Sequence, residues 1–150
     1  MSNYRRRPKG NYIQDASWKD LYNLAESWKN DIEFHLFEVD FFECLIETHF
    51  IKLLLLQNLD ELRELQRDLF ETRKRCKHII QHIKTHLDHI VDIMDEPFCY
   101  NVVDFRADNE QLEDEASEFI ASLKTVRYTV FKMTKSVLES EKPKFIWKYN

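Results

Sequence analysis

Residues 32–56 read IEFHLFEVDFFECLIETHFIKLLLL, and where the polar residues fall in this stretch decides the fold. At about 100° per residue, Phe34, Phe37, Phe41, Cys44, Thr48, Ile51 and Leu55 trace one stripe of a helix. Ile32, Val39, Phe42, Ile46, Leu53 and Leu56 trace a second. Asp40, Glu43 and Glu47 are left with one narrow polar face. The apolar arc is roughly 240° wide, whereas a surface helix needs little more than about 100°. Such a helix needs cover on both sides. It is the central helix of a bundle or the contact helix of an oligomer.

The flanking sequence extends the helical reading. Trp18, Leu21, Ala25 and Trp28 continue the second stripe backwards as an a/d heptad, interrupted only where His35 and His49 stand. Ser17 with Asp20 has N-cap spacing, so the first helix is expected to start there. Asn30 with Glu33 has the same spacing, and a break at that point would turn three helices into four. Asn58 with Glu61 marks the next boundary. A second helix then runs from about 59 to 95, with Leu62, Leu65, Leu69, Cys76, Ile79, Ile83, Ile90 and Met94 on its apolar side, and Pro97 ends it. A loop is predicted over 97–107. The third helix is expected from Asp108 or Asn109, with Leu112, Ala116, Phe119, Leu123, Val126, Val130, Met133 and Val137 inward. The fold class is therefore all-α: an antiparallel bundle of three long helices, each a rod of about 50–60 Å at 1.5 Å per residue.

Composition agrees. The chain has 150 residues with a single glycine, Gly10, and three prolines. Positions 11–96 lack both helix breakers, whereas a sheet protein needs turn residues every 8–12 positions. Residues 1–14 read as a flexible basic tail, 15–141 as the bundle domain, and 142–150 as an apolar and basic tail. That last segment contains Phe145, Ile146 and Trp147 between lysines and reads as a strap on the bundle or a motif for a partner. A net charge of −5 disfavours bulk binding to nucleic acid or anionic membranes. No apolar run is long enough to span a bilayer, and no secretory signal is recognisable. Cys44, Cys76 and Cys99 show no paired spacing, which suits a reducing compartment, the cytoplasm. Cys44 is expected to pack rather than react.

Candidate chemistry is sparse. His78, His82, His86 and His89 share one flank of the second helix, and histidines at i and i+4 can chelate a divalent metal. Their flank position, with His86 nearest the core, makes solvation the expected state. His35 and Glu38 fall inside the apolar arc of the first helix, where burial demands a partner. Hairpin geometry puts them within reach of His78 or His82. Histidine and carboxylate are the ligand types of di-iron bundles, but the Glu-x-x-His order those bundles use is missing. Arg73, Lys74, Arg75 and Lys77, together with Arg5, Arg6, Arg7 and Lys9, could meet phosphates. The mid-helix group is scattered around the helix without interleaved aromatics, and the acidic start of the third helix is available to pair with it. No glycine-rich phosphate loop and no nucleophile motif is present. The sequence thus points to a non-catalytic interaction or scaffold protein without a cofactor. It is expected to form a homodimer through Phe34, Phe37, Phe41, Ile51 and Leu55, and a protein partner is a further expectation. A metal-binding bundle and a small nucleic-acid-associated regulator are the alternatives.

Overall fold

The structure, a computed structural model, describes residues 12–99 and 101–141. Among these the chain is all-α, with no strand. A short turn α1 (Tyr12–Asp15) leads into α2 (Trp18–Thr48), α3 (Phe50–Leu56), α4 (Leu59–Asp95) and α5 (Val102–Ser140). A 3-10 turn at Pro97–Cys99 links α4 to α5.

Side-chain caps set the boundaries. Ser17 Oγ accepts from Asp20 N at 3.1 Å, and Asn58 Oδ1 accepts from Asp60 N at 2.7 Å. Each satisfies a donor that the first helical turn leaves open. Asn30 lies inside α2, which runs through it without interruption. A capping residue ends nothing when apolar residues on both sides share one core-facing stripe, as Trp28 and Ile32 do. The first rod is interrupted later, at His49. Hydrogen bonds from His49 N to Leu45 O and from Leu53 N to His49 O span that point, and Leu53 is as buried as Ile46. The helical phase therefore carries over from α2 to α3.

The rods form an up-down-up bundle in which each packs against the other two. Arg73 of α4 meets Glu43 of α2, and Cys76 meets Ile32, so α2 and α4 are antiparallel. His82 meets Glu115 and Arg75 meets Ser122, so α4 and α5 are antiparallel as well. Hence α2 and α5 are parallel. Glu38 stands opposite Arg127, Phe42 opposite Phe131, and Lys52 opposite Glu141, a constant offset of 89 positions.

The core follows the second stripe of α2, with Ile32, Val39, Phe42, Ile46 and Leu53 buried against Leu69, Ile79, Ile83, Phe119, Leu123 and Val130. Removing each large side chain of this kind from water stabilises the fold by about 1.5–3 kcal/mol. Three sequence expectations need correction here. The loop over 97–107 is shorter, because α5 starts at Val102 under the Asn101 cap, whose Oδ1 accepts from Asp104 N. Phe105 is buried and extends the apolar face of α5 by two turns, and Asn109, read as a cap, sits in the core. Met94 is exposed and Ile93 takes its inward place. Finally, residues 12–14 belong to a packed turn instead of a tail. Ile13 is buried, and Arg106 donates from Nη1 to the carbonyl oxygens of Ile13 and Ala16, both at 2.8 Å, while lying over the ring of Trp18. The rest of the predicted basic tail and the segment 142–150 lie outside the described residues.

Candidate functional site

The largest unspent feature of the molecule is the outer face of α2 and α3. With the second stripe turned inward, the first must point away from the bundle. Phe34, Phe37, Phe41, Ile51 and Leu55 are exposed, from 54% for Phe41 to 82% for Leu55. Cys44, expected to pack, is exposed too, because it lies on this stripe and no other element among the described residues covers it. The face continues onto α5. Phe131 packs edge-on against Phe42 with ring centroids 5.6 Å apart, yet half of it is exposed, as is Leu138 one heptad further on. A groove lined by Lys124, Thr125, Arg127, Tyr128 and Phe131 runs along the same edge of α5.

Glu38 marks the boundary between this face and the core. Its carboxylate takes two hydrogen bonds from Arg127, at 3.1 and 2.6 Å, and meets His35 Nδ1 at 3.4 Å. Burial raises its proton affinity, but the hydrogen bonds and charge of Arg127, aided by His35, outweigh this and hold it below the usual carboxylate range. The pair ties α2 to α5. It does not join the histidines of α4, as hairpin geometry alone suggested. His35 and Glu38 occupy the α2–α5 seam, whereas His82 meets Glu115 at the α4–α5 seam.

The histidine flank divides by burial. His78 and His82 are exposed neighbours with ring centroids 6.4 Å apart. His86 is buried, stacked on Phe105 at 4.4 Å, and hydrogen-bonded from Nε2 to Asn109 Oδ1. Burial lowers its proton affinity; the Asn109 bond and Asp108 oppose the shift, and the charges of His82 and His89 add to it. A cleft lined by His82, Thr85, His86, His89, Phe105, Asp108 and Gln111 opens beside it. Among the described residues no group of three or more histidine, cysteine or acidic side chains is placed to hold a metal ion. Sequence reasoning missed Asn109 and Glu113 as buried polar residues of α5. Their positions looked like a helix start, and the signal lay in Phe105, which already implied an earlier start.

Of the basic cluster, Arg73 is held in the α2–α4 seam, while Lys74, Arg75 and Lys77 are exposed. Arg73 bonds Glu43, from Nε at 2.8 Å, and pairs with Asp40. Lys74 lies over Phe70 and Arg75 over Phe119. The anticipated pairing with the acidic start of the third helix is replaced for Arg73 by acids of α2, because α2 and α4 are the closest-packed rods. Cys76 Sγ donates to Ile32 O at 3.4 Å, and burial, helped by the charge of Asp40, pushes its thiol up to about 12, which leaves it inert. Among the described residues no helix is long and apolar enough to cross a membrane. No family model matches the chain, and no curated protein and no solved structure matches it either.

Proposed function

We propose that this protein is a non-catalytic helical-bundle interaction protein that pairs with a second copy of itself through the outer face of α2 and α3. One observation carries the reading: α2 and α3 are apolar on the side that the rest of the bundle, among the described residues, leaves open. At about 150–250 Å² per aromatic side chain, the exposed parts of the five residues, with Phe131 and Leu138, amount to on the order of 800 Å². That exceeds the roughly 300–600 Å² of the largest patch on an ordinary monomer. It equals the roughly 800 Å² that one partner contributes to a standard interface.

The non-catalytic part of the reading rests on where the titratable groups are spent. Glu38, Arg73 and His86 are each held by neighbours in the bundle: Glu38 by Arg127, Arg73 by Glu43, and His86 by Asn109 and Phe105. The same use of Arg73 disfavours the nucleic-acid alternative. A free surface thiol at Cys44 suits the cytoplasm. Sedimentation equilibrium over a concentration series tests the proposal. The wild type is expected to be a dimer, and Phe37→Glu/Phe41→Glu a folded monomer. A wild type that stays monomeric at high concentration overturns it.

A further inference from the structure

Resting on the self-pairing just proposed, we infer that the two copies meet with their α2 helices parallel and in register, about a two-fold axis running along the helices. The outer stripe is itself a heptad seam. Phe34, Phe41, Thr48 and Leu55 alternate at three- and four-residue steps with Phe37, Cys44 and Ile51. This is the a/d pattern of a two-stranded coiled coil. The orientation is set by what borders it.

The border toward α4 is rich in acids, with Arg73 among them, and the border on α5 is rich in lysines, with Glu139 and Glu141 among them. On the flank turned toward α4 stand Glu33, Asp40 and Glu47, seven residues apart, with Asp40 placed there by its contact with Arg73. On the opposite flank, beyond the Glu38–Arg127 pair, α5 presents exposed Lys124 and Lys135 on either side of Phe131. Lys135 has an exposed intrahelical contact to Glu139 at 3.8 Å, weak enough to be exchanged for another acid.

A two-fold axis must lie in the plane of the interface. If it runs along the helices it exchanges left and right flanks, so each acidic border lands on the partner's lysines. If it runs across the helices, the flanks are kept and acid meets acid while lysine meets lysine. Like charges facing each other destabilise an interface, so the lengthwise axis is favoured. The register agrees without adjustment. By the offset of 89, Lys124 is level with His35 and Lys135 with Ile46. At 1.5 Å per residue these lie only about 3 Å and about 1.5 Å from the levels of Glu33 and Glu47. Rotation about a lengthwise axis changes no level. It therefore sets Glu33 at the level of Lys124 of the partner subunit and Glu47 at the level of Lys135 of the partner subunit, on the same flank of the seam.

Two experiments on the full-length protein test the orientation separately from the pairing. Cys44 and Cys99 are replaced by serine, buried Cys76 is kept, and a single cysteine is placed at Phe34 or at Leu55. These positions lie about 30 Å apart along the rod. With a short bismaleimide, both variants are expected to crosslink to their own copies, because in-register parallel helices bring each position to itself. If neither links alone but a mixture of the two does, the helices are antiparallel and the inference fails while the dimer stands. The second experiment avoids the apolar seam. Lys124→Glu/Lys135→Glu is expected to weaken the dimer about tenfold or more at low salt, with the loss shrinking at high salt. Adding Glu33→Lys/Glu47→Lys to the same chain is expected to restore it. An unchanged dissociation constant in the lysine variant is the antiparallel result. A monomeric wild type removes both this inference and the proposal beneath it.

Discussion

Phe41 and Phe42 are adjacent in sequence and opposite in role, and replacing each by alanine separates the fold from the interface. Phe42 is 2% exposed and packs edge-on against Phe131. Its truncation leaves a cavity in the core and is expected to cost about 3–5 kcal/mol of monomer stability. Phe41 is half exposed in the single chain. Its truncation should change monomer stability by no more than about 0.5 kcal/mol, and alanine's better helix propensity offsets part of that. In the proposed dimer the balance reverses. Covering the exposed half of one phenylalanine is worth about 1–1.5 kcal/mol, and two-fold symmetry counts it twice. Phe41→Ala is therefore expected to weaken the dissociation constant roughly 30- to 150-fold, at about 1.4 kcal/mol per decade.

The assay is denaturant unfolding of each variant, followed by circular dichroism at a concentration where the protein is monomeric, with sedimentation equilibrium for the dimer. The reasoning is refuted if Phe41→Ala loses as much monomer stability as Phe42→Ala. It is refuted equally if Phe41→Ala leaves the dissociation constant where it was. The first result would mean that this chain's own residues cover the ring, and the second that the ring lies outside the interface.

Three further outcomes follow from the polar groups. His86 is held neutral in the fold while the unfolded chain takes up its proton near pH 6.5, so its contribution is whole above that value and lost as pH falls toward the lowered native one. His86→Leu is expected to flatten the fall in unfolding free energy below about pH 6.5, and an unchanged slope refutes the assignment. Glu38, held below its ordinary value of 4.5, stabilises the fold above that pH and ceases to do so as pH drops through its lowered native value. Glu38→Gln should remove that acid-dependent loss, read from urea midpoints at a series of acidic pH values. Arg106→Ala deletes two charge-assisted hydrogen bonds and the contact with Trp18, so hydrogen exchange at residues 13–18 should quicken by at least about tenfold. Equal protection in wild type and variant would show that Ile13 holds α1 alone.

The α2–α4 hairpin was legible because two independent signals coincided there. The inward heptad and the caps at Ser17 and Asn58 give the same helix ends, and the structure keeps both. Where the signals conflicted, packing prevailed. Asn30 has cap chemistry, but its neighbours Trp28 and Ile32 share one buried stripe, and breaking the helix would uncover both. Asp108 and Asn109 also have cap chemistry. The aromatic ring of Phe105 upstream outweighs it, because stacking on His86 requires helix at that point. Met94 and Ile93 show the finer limit: at the end of a helix one residue of drift moves the inward position, and two apolar neighbours do not say which one is used.

The polar contacts were legible only in part. That Glu38 needs a partner follows from its place in the apolar arc. That the partner is Arg127 depends on the parallel alignment of α2 with α5, two helices away in sequence. For the same reason hairpin geometry alone puts His35 within reach of the histidines of α4, whereas three-dimensional packing turns them to different seams. The outer stripe is a different kind of case. Its pattern can be read from residues 34–55 without any structure, but a pattern shows that a face is apolar, not which surface covers it. Of the two covers the chain itself could supply, the first helix folding back at Asn30 is removed because α2 runs straight through that residue, and the segment 142–150 lies outside the described residues. The heptad spacing of the stripe, the area it leaves open and the acid-rich and lysine-rich borders beside it are the grounds on which a second copy of this chain is proposed as its cover.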